Sequence, residues 1–202
     1  MGTKNFYPDV SHARDPEFIF VEQKTMNKVL LVGIIILAAF LRLYKLGEVP
    51  NGLYQDETAI GYNAYSILTT GKDEHNVPYP LYFKSFGDWK LPVYIYATVP
   101  AIKVFGLTPF AVRLPSAFFG VLTILVFYFL ARELLGDNSF AALAAAMLAI
   151  NPWHLHYSRA TFEVSIGLFL FMLGTYLLVR GRRGTFFAGT LLFVLNMYTY
   201  NL

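Results

Sequence analysis

Residues 90–106 read "KLPVYIYATVPAIKVFG". Whether they cross a membrane decides on which side everything after them lies. They are apolar enough to span, but Pro92, Pro100 and Lys103 interrupt them, and proline inside a helix removes a backbone bond. The neighbouring segments settle the matter by parity. A first span, "KVLLVGIIILAAFLRLYKL" (28–46), holds about 18 apolar-dominated residues, with Arg42 and Lys45 positioned to snorkel at its outer end. A second runs from about Leu114 to Leu135. A third, "FAALAAAMLAINPW" (140–153), is short and stops at Pro152. A fourth, "VSIGLFLFMLGTYLLV" (164–179), meets Arg180, Arg182 and Arg183, and a fifth starts at Thr185. If 90–106 stays on the surface, the Arg132 loop and the Arg180–Arg183 cluster share the side of the N-terminal tail, as the positive-inside bias prefers. If it crosses, that cluster is forced outside. The sequence therefore predicts an all-α integral membrane protein with about five transmembrane helices and interfacial helices in the first outer loop, about 47–111.

Composition agrees. The 202 residues are 56% hydrophobic and 14% charged, and the mean hydropathy is +0.48, too apolar for an ordinary soluble domain. Aromatics reach 17%, with many Tyr and Trp beside apolar runs, as at bilayer interfaces. The Lys and Arg residues are dispersed, so no nucleic-acid partner is expected. There is no cysteine, which excludes disulfides and thiolate metal sites. Residues 1–27 are polar and lack the pattern of a signal peptide, so they read as a cytoplasmic tail preceding a transmembrane domain over 28–202. Asn196 and Asn201 in the last apolar segment call for helix partners. The chain therefore reads as the N-terminal part of a longer protein, truncated at its C-terminus.

Four stretches carry polar chemistry on the outer side. In "YQDETAIGYNAYSILTTG" (54–71) the apolar residues recur at helical spacing and Gly71 can end the helix. Asp56 sits where an N-cap would be and Glu57 falls in the first turn, where negative charge suits the dipole. The pair is therefore either a cap or a reactive site. In "FGDWKLPVYIY" (86–96), Asp88, Trp89 and Lys90 precede an apolar helix. Lys90 at a helix start suits an anion such as phosphate, and an interfacial lysine beside an interfacial tryptophan is the plainer reading. In "NPWHLHYSRATFEVS" (151–165), Arg159 and Glu163 are four apart and could pair on a helix. His154 and His156 are two apart and share no helix face, which disfavours a zinc pair. Arg113 in "GLTPFAVRLPSAFFGVL" (106–122) is a membrane anchor or a phosphate contact.

In this order the four stretches resemble the N-terminal part of the GT-C glycosyltransferases, of the protein O-mannosyltransferase and lipid A aminoarabinose transferase type. The acidic pair is matched by Asp56-Glu57, and a Lys-Pro-Pro-Leu-like element by "KLPVYIY". A long element is matched by "VFGLTPFAVRLPSAFFGVLTILVFYFLARELLG" (104–136), and an Ser-Arg element by "NPWHLHYSRATFE" (151–163). Leu91 replaces a usual Pro, and Glu163 stands near a usual Asp. The resemblance implies transfer of a sugar from a polyprenyl-phosphate donor to an acceptor protein, lipid or glycan at the outer face of the cell membrane, with inversion. It implies Asp56 as the base and Glu57 as a neighbour that adds negative charge or orients the acceptor. Lys90, with Arg113 or Arg159, would meet the donor phosphate, and Asp88 and Glu163 would complete the substrate site. No cofactor is certain, and a divalent metal stays open. The competing readings are a transporter or flippase of lipid-linked sugars, which should carry its ionisable groups near the bilayer midplane, and an inactive fragment.

Overall fold

A computed structural model describes residues 16–85 and 87–199, with side chains from Lys28 onward except that of Asp88. The first fifteen residues of the expected tail, and Asn201, lie outside the described residues. The element order is α1 (Pro16–Leu43), α2 (Gln55–Thr70), β1 (Phe83–Ser85), β2 (Asp88–Lys90), α3 (Pro92–Phe105), α4 (Pro109–Leu135), α5 (Asn138–Ile150), α6 (Pro152–Tyr157), α7 (Val164–Val179) and α8 (Arg183–Met197). Residues 16–27, read as tail, form the first part of α1.

The long helix α4 is central, packed against α1, α2, α3, α5, α6 and α7. Thr108 caps it by accepting from the Ala111 N–H, and Pro109 takes the first turn, where a missing N–H costs nothing. The helix therefore begins five residues before the expected span, and Arg113 lies inside it. Two apolar clusters flank α4. One joins Ile60, Phe83, Ile95, Ile102 and Ile166 from α2, β1, α3 and α7. The other joins Ile34, Ala38, Ile124, Ala142 and Ala145 from α1, α4 and α5. The α3–α4 contact is pinned by a buried phenol, because Tyr94 Oη lies 2.8 Å from Ser116 Oγ and accepts from the Ser116 N–H at 3.2 Å.

Among the described residues, α4 is the one helix long and apolar enough to cross a membrane by length and composition, while α3, α5 and α7 are shorter apolar helices. As expected, α5 stops before Pro152: Asn151 Oδ1 accepts the His154 N–H and a new short helix begins. The 90–106 stretch does form a helix from Pro92, but Lys90 is not at its start. Lys90 ends a two-stranded antiparallel ribbon, paired with Phe83, which adds a small β element to a mainly helical chain. Strands of three residues carry too little alternation to be read from sequence.

Candidate functional site

The adjacent acids at the start of α2 point to different partners. The helix is entered through Tyr54 in an extended conformation, so Asp56 is the second helical residue and not the N-cap. The capping role falls to Glu57, whose Oε2 accepts the Tyr54 N–H at 3.0 Å. Glu57 is also held by Arg113 across 56 positions: Nε donates to Oε1 and Nη2 to Oε2, both at 2.9 Å. The Thr161 N–H, in the α6–α7 turn, donates to Oε1 at 2.9 Å. The remaining guanidinium donors of Arg113 reach the carbonyls of Leu46, Pro50 and Gly52.

Both side chains of this pair are buried, at 0% and 5% exposure. Burial alone would raise the Glu57 acid. The Arg113 guanidinium and the two backbone N–H groups outweigh it and hold the carboxyl below its ordinary range. A bidentate, fully hydrogen-bonded pair of this kind is a strong tie. It fastens α2, α4, the α1–α2 loop and the α6–α7 turn to one point. Glu57 is thus neutralised in place rather than adding negative charge to an open site, and Arg113 turns its donors to Glu57 and to carbonyls.

Asp56 faces the other way. Its Oδ1 lies 2.9 Å from Lys90 Nζ, with the Lys90 side chain 10% exposed and the Asp56 side chain 48% exposed. The ribbon turns the chain back so that residues 34 apart meet. Its hairpin position, with Leu91 extended and Pro92 opening α3, aims the lysine across at the start of α2. Negative charge at Asp56 is favoured by the helix N-terminus as well. An ammonium has three donors and no acceptor, and an ionised carboxylate accepts only. Together they present an anion contact and a proton acceptor side by side. Trp89, 57% exposed, immediately precedes Lys90 in the chain. The side chain of Asp88, an expected substrate contact, lies outside the described residues.

The Arg159–Glu163 pairing on one helix does not form, since α6 ends at Tyr157 and α7 begins at Val164. Arg159 reaches back to the end of α1, donating to the carbonyls of Leu41, Arg42, Tyr44 and Val49. Partial burial and the nearby Arg113 charge lower its guanidinium. Glu163 is half-buried at the entry to α7. Its charge is felt by Tyr94, whose phenol is raised first by burial.

One residue of this region was read wrongly from sequence. Arg42 does not snorkel. It is fully buried, donating from Nη1 to the carbonyls of Ala38 and Ala149, with Nη2 2.7 Å from His154 Nδ1. The α1 helix presents it to α4, α5 and α6 instead of to lipid. Gly120 of α4 permits this crowding, because a Cβ there would sit 2.4 Å from Ser158 Cβ and 3.3 Å from Arg42 Nε. Burial and the Arg42 charge push the His154 imidazole down to about 4, so it is neutral at physiological pH. His156 is exposed, with its ring edge-on to Tyr157 and tilted toward Phe162. Among the described residues no group of three His, Asp or Glu is arranged to hold a metal.

Comparison with known proteins matches residues 32–196 to the family described as Dolichyl-phosphate-mannose-protein mannosyltransferase. Two proteins of Bacillus subtilis (strain 168) are similar over most of the chain. "Putative mannosyltransferase YycA" is 27% identical over 154 residues, which is 74% of this chain and 21% of that protein. "Putative mannosyltransferase YkcB" is 26% identical over 166 residues, 80% of this chain and 22% of that protein. The chain thus spans about a fifth of the length of these relatives.

Proposed function

Because the chain belongs to the dolichyl-phosphate-mannose-protein mannosyltransferase family, we propose that it carries the donor and base side of a membrane glycosyltransferase site. The donor is a sugar on a polyprenyl phosphate. The acceptor is a hydroxyl of a protein, lipid or glycan at the outer face of the cell membrane, with the N-terminus cytoplasmic and the helices crossing several times. The observation that carries the reading is the 2.9 Å contact between Asp56 and Lys90. It unites the two chemistries such a transfer needs at one half-open place.

The step is a single displacement. The acceptor oxygen forms a bond to the anomeric carbon as the bond from that carbon to the phosphate oxygen breaks. The electron pair leaves on the phosphate, and the hydroxyl proton passes to the Asp56 carboxylate. Lys90 stabilises the charge growing on the leaving phosphate, and attack from the opposite face inverts the anomeric centre. Nucleophile and leaving group lie on opposite sides of one carbon, so Asp56 and Lys90 cannot stay in contact while they act. The donor phosphate replaces the carboxylate on Lys90, which opens the pair and frees Asp56 to act as a base. Glu57 and Arg113, closed on each other, hold the start of α2 in place while this occurs. Arg159 tethers the α6–α7 turn to the end of α1, and Glu163 and Asp88 remain substrate-side groups in this reading.

The test is a transfer assay with the full-length protein in vesicles. Labelled polyprenyl-phosphate mannose passes its sugar to an acceptor without added nucleotide. Transfer only from a nucleotide sugar would contradict the reading.

A further inference from the structure

A cavity of about 410 Å³ lies against α6, on elements other than α2 and the ribbon that carry Asp56 and Lys90. Gly120, Leu148 and Leu168 from α4, α5 and α7 contribute to its walls, with Trp153, His154 and Tyr157 of α6. Its size is that of sites that take small molecules, and most of its lining is apolar or aromatic. Two independent features give it a chemical preference.

The first is a fixed donor. His154 is 9% exposed and faces the cavity. Its Nδ1 lies 2.7 Å from Arg42 Nη2, and a guanidinium can only donate. Nδ1 is therefore the acceptor, and the proton of the neutral ring resides on Nε2. No protein acceptor meets that Nε2–H among the described residues. The second feature is charge. Among the described residues, Arg42 is fully buried, its acceptors are two carbonyls and a neutral imidazole, and its Nε has no partner. Arg159, whose charge Arg42 feels, also bonds carbonyls. A buried cation without a counter-charge is costly, and an anion beyond His154 offsets it.

We infer that this cavity binds a single-chain amphiphile with an oxyanion head. The head accepts from His154 Nε2–H, and the chain lies along Leu148 and Leu168. Arg42 acts through the imidazole, so that cation, neutral ring and anion stand in line. The head is either a phosphate monoester or a carboxylate, which share this chemistry. The site does not depend on the transfer reaction.

The experiment uses the full-length protein in phosphatidylcholine nanodiscs with a diazirine-bearing dodecyl phosphate. After illumination, crosslinked peptides are mapped by mass spectrometry. The expected label falls between Trp153 and Leu168. Dodecyl phosphate or dodecanoate, whichever matches the natural head, competes at least about tenfold better than dodecanol, as a charge-assisted bond requires. Leu168→Trp, which fills the cavity without touching the polar web, abolishes the label. His154→Phe, which keeps a ring but loses the donor, lowers it about tenfold, and His154→Gln retains it. Asp56→Asn leaves it unchanged. Four results overturn the inference: no label in this segment, equal competition by dodecanol, full label in both Leu168→Trp and His154→Phe, or a label that moves to the Lys90 segment and vanishes in Lys90→Ala. The last would assign the amphiphile to the donor site, leaving the transfer reading intact.

Discussion

Asp56 and Glu57 are neighbours on one turn of helix, and each meets a cation, yet they have opposite surroundings. Glu57 is enclosed, with both oxygens bonded to Arg113 and to two backbone N–H groups. Asp56 makes one ion pair and keeps 48% of its side chain exposed. An acid with every lone pair satisfied by fixed donors holds structure together. An acid with one movable partner can exchange that partner for a substrate. The difference follows from helical geometry, since successive residues point about 100° apart and only one of the two can face α4.

The comparison breaks most readily at Glu57. Glu57→Ala leaves Arg113 buried without its counter-charge and should cost about 3–5 kcal/mol of stability, read as a large fall in thermal midpoint or in folded yield. Arg113→Lys, with Glu57 in place, should also be clearly destabilising, because an ammonium cannot reproduce the bidentate fork. An unchanged midpoint would mean that the two acids are equivalent after all. Next in size is Lys90→Ala. Losing a charged hydrogen bond to phosphate should weaken donor binding by about tenfold or more, with far less effect on acceptor binding. Equal losses for both substrates would count against the phosphate role.

Acid should weaken the Glu57–Arg113 tie. The folded Glu57 acid lies below its ordinary value of 4.5. The stability it contributes is therefore full above pH 4.5 and is lost as pH falls through the lower, folded value. Glu57→Gln should flatten the acid limb of the midpoint-versus-pH curve, and an unchanged acid limb would contradict the buried pair's role. The smallest effect is on stability at neutral pH in Asp56→Asn, which loses a half-exposed ion pair valued at about 0.2–1 kcal/mol.

Much of this arrangement was legible in the sequence because its signals are local. Gly71 ends α2 in the left-handed conformation, at φ 71°, Pro152 separates α5 from α6, and α7 stops before the Arg180–Arg183 cluster, each at the expected place. Thr108-Pro109 is also a local start signal for α4, and attention to it would have placed Arg113 inside the helix. What could not be read depends on distant partners. Glu57 finds Arg113 56 residues on and Thr161 104 residues on, and Arg42 finds His154 at 112. Side-chain type alone did not tell a snorkelling arginine from a buried one. The helices α5 and α7, with 13 and 16 residues, are shorter than the roughly 20 that a straight crossing needs. Of the five expected spans, α4 is the one clear candidate by length and composition among the described residues, with shorter apolar helices beside it.

The most direct test of the central claim measures activity and stability together in Asp56→Asn. In the full-length protein, with polyprenyl-phosphate mannose as donor, transfer should fall by about 10²–10⁴ as expected for loss of a general base, while the thermal midpoint stays close to that of the parent. Parental turnover by the folded variant would contradict the account.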